Sequence, residues 1–209
     1  MTGSGAREDG PLLEVLERSK ELGFLGPGAV RAHVLHARAF LPEVADASTV
    51  LDLGSGGGVP GLVLAWDRPG TELLLLDAME KRCRFLEWAV DRLDRPLARV
   101  RCGRAEELAR DPALRGGFDV VTARSFAPPP VAAECAAGFL HVGGRLVVSE
   151  PPQEGSIDRW PAGPLDELGM RPTGVSATET ATLQVVEQFR ECPERFPRRV
   201  GVPAKRPLF

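Results

Sequence analysis

Near the start of the chain, apolar positions recur at helical spacing. Leu12, Val15, Leu16, Ser19 and Leu22 share one face, and Gly23 stops the run. Pro27 opens a second helix, with Val30, Val34, Ala37 and Leu41 aligned until Pro42. Residues 11–42 are therefore predicted to be a helical lead-in, and the polar, Gly-containing residues 1–10 a frayed end. After Ser48 the pattern changes to short, nearly continuous apolar runs. Residues 49–53 and 72–77 read as buried strands, 98–102 as a weaker one, 118–123 and 145–149 as two more. Between them lie helical segments at 81–93, 105–110 and 131–140, and one starting near Pro60. Residues 182–190 are β-rich, with a candidate partner strand at 173–177. Residues 150–164, rich in Pro and Gly, read as a loop. Strands alternating with helices predict an α/β fold, a mostly parallel twisted sheet with helices on both faces. The expected organisation is an N-terminal helical extension over 1–45 and one domain over 46–209.

Composition narrows this little. The 209 residues are 43% apolar and 26% charged, which suits a folded globular chain. No run of about 20 apolar residues predicts a membrane span, and the first ten residues carry no apolar signal core. The four cysteines, at 83, 102, 135 and 192, form no C-x-x-C pair, so reduced thiols in a cytoplasmic protein are expected. His33, His36 and His141 show no metal-ligand spacing, and no metal is expected. The formal net charge is −3. It is uneven: residues 190–209 hold six cations against two acids, so a polyanion would meet the C-terminal end rather than the body.

The chemistry gathers after the first strand, in Leu51-Asp-Leu-Gly-Ser-Gly-Gly-Gly-Val-Pro-Gly61. Glycines let the backbone approach a ligand and take positive φ. A helix opening near Pro60 would point its unpaired N–H groups at the loop. Gly56, Gly58 and Gly61 match the dinucleotide fingerprint, and Asp77 ends the next strand, placed to accept ribose hydroxyls. The pattern predicts an adenosyl-type ligand. Asp52, at a position usually apolar in dinucleotide folds, favours a ligand with cationic character, S-adenosylmethionine over NAD. The alternative for Asp52 is a carboxylate that caps the loop, compatible with the same binding. Gly103-Arg-Ala-Glu-Glu107 follows the third strand, where Glu106 can meet an adenine edge or simply be a solvated first turn. The fourth strand ends in Arg124, Ser125 and Phe126, where ligands of open α/β sheets sit. Arg124 can contact a phosphate or guanine O6 and Phe126 can stack on a base, or they are a surface Arg and a core Phe.

Five segments together resemble the bacterial glucose-inhibited division protein B family: Val50-Leu-Asp-Leu-Gly-Ser-Gly-Gly-Gly-Val-Pro-Gly61, Leu76-Asp-Ala-Met-Glu-Lys-Arg-Cys-Arg-Phe-Leu86, Gly103-Arg-Ala-Glu-Glu107, Arg124-Ser-Phe-Ala127 and the tail Phe196-Pro-Arg-Arg-Val-Gly-Val-Pro-Ala-Lys-Arg-Pro-Leu208. The resemblance implies a Rossmann-like class I S-adenosylmethionine-dependent methyltransferase acting on guanine N7 of small-subunit (16S) ribosomal RNA. It implies that Asp52, Gly54, Ser55, Gly56, Gly58, Pro60, Gly61, Asp77, Ala78, Ala105, Glu106 and Arg124 hold the cofactor. Arg124, Ser125 and Phe126 would orient the base, and His33, Arg198, Arg199 and Lys205 would contact the RNA. A monomer acting on 16S rRNA or the small subunit, without membrane or metal, is expected.

The sequence departs from the family pattern twice. His33-Val-Leu-His36-Ala37 lacks an Asp-Ser pair, and Ser149-Glu150-Pro151 stands where the family has Leu-Lys-Gly. A lysine there would suit RNA phosphate; a free glutamate would repel it. Other readings are a methyltransferase for another RNA site or a small molecule, a non-catalytic S-adenosylmethionine-binding protein in which Glu150 blocks the substrate, and a nicotinamide oxidoreductase.

Overall fold

A computed structural model describes residues 9–151 and 159–209. The expected frayed end, except Asp9 and Gly10, and the middle of the expected 150–164 loop lie outside the described residues. Two helices lead, α1 (Gly10–Glu21) and α2 (Val30–Arg38). Then β1 (Thr49–Leu53), α3 (Gly61–Asp67), β2 (Glu72–Asp77), α4 (Glu80–Arg92), β3 (Ala98–Cys102), α5 (Ala105–Leu108), β4 (Phe118–Ala123), α6 (Pro129–Ala137) and β5 (Leu140–Glu150) alternate. The chain ends with α7 (Ala162–Glu167), β6 (Met170–Ala177), β7 (Thr182–Gln188) and α8 (Val202–Lys205).

The seven strands form one sheet in the order β3-β2-β1-β4-β5-β7-β6. β1 to β5 run parallel, β7 is antiparallel to β5, and β6 is antiparallel to β7. The apolar runs of the central strands are explained by burial on both faces. Val50, Leu73, Leu75, Val120 and Val147 point to the side covered by α1–α4. Leu51, Leu53, Val121, Leu146 and Val148 point to the side covered by α6, α7 and Phe196. Leu12, Leu16 and Val34 share the first cluster with Val50 and Leu62, so the lead-in helices complete the core of the sheet.

Most element ends shift by a few residues from the sequence reading, and three differences change the picture. β5 starts at Leu140 and runs to Glu150, because Gly143 and Gly144 stay within the strand. The one-turn helix α7 stands inside the stretch expected to be loop, anchored by the fully buried Leu165. β6 begins at Met170, three residues before the expected start at Thr173, with a register shift between Pro172 and Gly174.

The way α1 ends aims the chain at the sheet's first loop. Gly23 has φ +72, its N–H donates to Lys20 O, and Phe24 N–H donates to Ser19 O. This is a Schellman ending, which needs the left-handed conformation that glycine takes without cost. It turns the chain so that Phe24 faces the β1–α3 loop.

Candidate active site

The loop after β1 lies at the carboxyl end of the sheet, beside the point where strand order reverses between β1 and β4. Gly54, Gly56 and Gly58 have φ of +74, +54 and +93. A Cβ on Gly54 would collide with the Phe126 ring, and one on Gly57 would lie 2.7 Å from Phe24 O and from Ser19 Oγ. Ser19 Oγ donates to Gly57 O at 2.8 Å. Thus Phe126 packs on the glycine loop, and the lead-in clamps it from the other side. Sequence reasoning missed Ser19 and Gly57. The one signal was a serine on an otherwise apolar helix face, since a buried hydroxyl needs a partner.

Asp52 is 1% exposed. Its Oδ2 accepts Gly61 N–H at 3.1 Å and its Oδ1 accepts the Thr122 hydroxyl at 3.0 Å. It ties the start of α3 to β4, the loop-capping reading of this residue. Ser55 Oγ donates to Asp52 O, and Pro60 directly precedes α3. Burial pushes the Asp52 carboxyl up to about 6, against the opposing hydrogen bonds and the charge of Arg124. The raised value means the fold prefers protonated Asp52. That contribution is full below the ordinary carboxylate range and is lost as pH rises through about 6. Asp52→Asn keeps an oxygen for Gly61 and can donate to Thr122. It is expected to raise stability by about 2 kcal/mol at pH 8 and to change little at pH 4. Thermal unfolding at the two pH values checks this, and an equal gain at both would refute it.

Asp77 closes β2 and is 4% exposed. Its Oδ2 accepts Gly56 N–H at 2.9 Å, its Oδ1 accepts Met79 N–H at 2.8 Å, and Arg82 stands 3.7 Å away. Each carboxylate oxygen has a further lone pair, which suits a pair of ribose hydroxyls. Ala78 next to it is exposed. A cavity of about 220 Å³ runs over Gly54–Gly57 between Phe24, Arg82, Arg124 and Ser125.

Arg124 and Ser125 also line a second cavity of about 460 Å³, with His33, His36, Ser149 and Thr180. Ser125 has φ +53, unusual for a residue with a side chain, at the turn leaving β4. Arg124 Nη2 donates to His33 Nδ1 at 3.0 Å. Because a guanidinium only donates, His33 Nδ1 is unprotonated. The ring proton is then on Nε2, facing Gly26 O and Pro27 O at 3.2 and 3.1 Å. Burial and the Arg124 charge hold the His33 imidazole below its ordinary value, consistent with that neutral form. His33, expected at the RNA, hydrogen-bonds Arg124 and lines the same cavity. His36 Nδ1 is buried without a hydrogen-bond partner among the described residues.

A third hollow of about 350 Å³ adjoins this one, lined by His36, Ser125, Glu150, Arg159 and Trp160 among others. Glu150 is 7% exposed. Its Oε2 pairs with Arg159 at 2.6 Å and its Oε1 accepts the Trp160 indole N–H at 2.9 Å. The expected repulsion of RNA by Glu150 is therefore corrected: its charge is neutralised by a cation only nine residues on.

The tail is also placed differently from the expectation. The guanidinium of Arg198 binds both oxygens of Glu134 on α6, at 2.6 to 3.1 Å, so it is not free for a phosphate. Glu106 Oε1 accepts Gly201 N–H at 3.0 Å and pairs with Arg104 at 3.1 Å, holding the tail rather than facing open space. Ala105 beside it is buried. Arg110 and Arg115 donate to backbone carbonyls within residues 192–197. Arg199 and Lys205 stay exposed. At the opposite end of the sheet, His141 Nε2 contacts Asp119, which also accepts Ser48 and Thr49 N–H, a structural cap. Among the described residues no group of three or more His, Cys, Asp or Glu is placed to hold a metal ion, and no helix is long and apolar enough to cross a membrane.

The strand order, the glycine loop after β1 and the acid ending β2 define a Rossmann-like class I S-adenosylmethionine-dependent methyltransferase. The fold matches that of the O-methyltransferase from Bacillus cereus solved with S-adenosylhomocysteine, with a TM-score of 0.61 at 18% identity over 88% of this chain and 93% of that one. A family model for rRNA small subunit methyltransferase G matches residues 27–151. The ribosomal RNA small subunit methyltransferase G of Symbiobacterium thermophilum is 38% identical over 189 residues, 84% of this chain and 77% of that protein. The one from Rubrobacter xylanophilus is 34% identical over 209 aligned positions, 94% and 80% of the two chains. The chain belongs to the rRNA small subunit methyltransferase G family.

Proposed function

We propose that this chain methylates N7 of a guanine in 16S rRNA, with the cofactor on the glycine loop and the base entering the cavity beyond Arg124. The observation that carries the arrangement is that Arg124 and Ser125 line the cofactor-side cavity and its larger neighbour together. S-adenosylmethionine supplies an electrophilic methyl on its sulfonium. Guanine N7 has an in-plane lone pair and no hydrogen, so the protein need not provide a general base. Its residues act by position. Asp77 takes the ribose hydroxyls, while Gly54, Ser55, Gly56 and Gly58 shape the loop, and Asp52 holds α3 against it. Arg124, aimed by His33, presents its free donors to guanine O6 or an adjacent phosphate. Arg199 and Lys205, exposed on a tail pinned by Arg110, Arg115 and Arg198, take phosphates. The chemistry needs no metal and no second subunit, and a cytoplasmic monomer is the form proposed.

Transfer of labelled methyl from S-adenosylmethionine to small subunits from cells lacking guanine-N7 methylation tests the reading. Label mapping to a guanine N7 is the expected result. Cofactor binding with no label on any base would instead favour the non-catalytic alternative.

A further inference from the structure

Another cavity opens beside the cofactor cavity, sharing Phe24 with it and no lining residue with the acceptor cavity. It is an open groove of about 510 Å³ between α1 and α4. Its walls carry three cations, Arg18, Lys81 and Arg84, and the aromatic rings of Phe24, Phe85 and Trp88; no acid lines it. The rings form a connected row. Phe24 and Phe85 meet edge-on with centroids 5.7 Å apart, and Phe85 and Trp88 meet at 5.7 Å with planes tilted by 38°. The inner end, Phe24, also lines the cofactor cavity, whereas the outer end, Trp88, is 45% exposed. Arg18 and Arg84 sit in exposed pairs with Glu21 and Glu80 at 2.9 and 3.5 Å. Exposed pairs of this kind are weak and yield to a multiply charged partner. An indole left open to water beside clustered cations is the arrangement that binds an unstacked base and its phosphates.

We propose that this groove holds an unpaired nucleotide of the substrate RNA, its base stacked on Trp88 and its flanking phosphates on Arg18, Lys81 and Arg84. The proposal rests on the reading of the chain as an rRNA methyltransferase and adds an RNA contact beyond those at the acceptor cavity and the tail, in a groove that shares no lining residue with the acceptor cavity. The row of rings gives that contact a direct connection to the loop, because Phe24 O lies against Gly57.

The test compares the full chain with its Trp88→Ala, Trp88→Phe and combined Lys81→Ala, Arg84→Ala variants, probed with a 16S rRNA transcript and with small subunits. Affinity for S-adenosylmethionine by calorimetry is expected to be unchanged in all of them. Trp88→Ala should weaken transcript binding about tenfold, the scale of one base–aromatic stack. It should raise KM for subunits with kcat kept, and Trp88→Phe should retain most of the affinity. The double cation variant should reduce the slope of log affinity against log salt by about 1.4 for two phosphates on a single strand. Unchanged transcript binding in Trp88→Ala overturns the proposal. So does a loss confined to assembled subunits, which would assign the groove to a protein partner. If the unaltered chain places no methyl on guanine N7, the functional reading falls, while the binding comparison still decides the fate of this one.

Discussion

Arg198→Ala is expected to destabilise the protein by about 3–5 kcal/mol, the range for breaking a buried ion pair. Glu134 is 0% exposed on α6. Its charge is met by Nε and Nη2 of Arg198 at 2.6 to 3.1 Å and by the Arg198 backbone N–H at 2.7 Å. Removing the side chain leaves one backbone donor against a buried carboxylate. It also frees the carbonyl of Arg206, which accepts from Arg198 Nη2. At about 2–4 °C per kcal/mol for a chain of this size, Tm should fall by roughly 10 °C. Arg199, the next residue, is exposed, and Arg199→Ala should move stability by less than about 0.5 kcal/mol while lowering the salt slope of RNA binding. Thermal unfolding and salt-dependent RNA binding of the two single variants separate the roles. An Arg198→Ala protein that melts normally but loses RNA would return Arg198 to the phosphates.

The two arginines illustrate what the sequence could and could not show. Their charge and position in a basic tail are plain, but a buried acid 64 residues earlier selects one of them. Glu134 lies in a stretch of alanines where nothing marks it as the partner of anything. The same holds for Glu150, which reads as a free acid until Arg159 and Trp160 are folded onto it. By contrast, the strands and the glycine loop were legible because their signals are local. Apolar runs fit strands buried on both faces, and a cluster of glycines requires a particular backbone. The antiparallel end of the sheet was legible only as a β-rich pair. The placement of β7 beside β5 depends on long-range pairings such as Leu146 with Val186, about forty residues apart. α7 was missed because one turn of helix opened by Pro161 and held by one leucine has too few positions to show a period. Ser19 and Gly57 were missed as a pair because a contact 38 residues apart leaves no spacing to read.

The proposed cofactor site rests most heavily on Asp77, and Asp77→Ala is expected to weaken S-adenosylmethionine binding by about 3 kcal/mol or more, at least 100-fold in Kd. Two effects add. The carboxylate would make charge-assisted hydrogen bonds to ribose hydroxyls, each worth about 1.5–3 kcal/mol. It also accepts Gly56 N–H at 2.9 Å and Met79 N–H at 2.8 Å, so its loss frees the middle of the glycine loop before any ligand arrives. Asp77→Asn keeps one acceptor oxygen but turns a donor toward the other N–H, and should fall between the two. Calorimetry with the cofactor, together with circular dichroism to establish folding, makes the measurement. The informative control is Glu106→Ala. Its carboxylate holds Gly201 N–H and Arg104, so removing it should lower Tm and change cofactor affinity by less than about threefold. If Glu106→Ala costs more affinity than Asp77→Ala, the ligand is held from the α5 side, and the acid at the end of β2 is there to shape the loop.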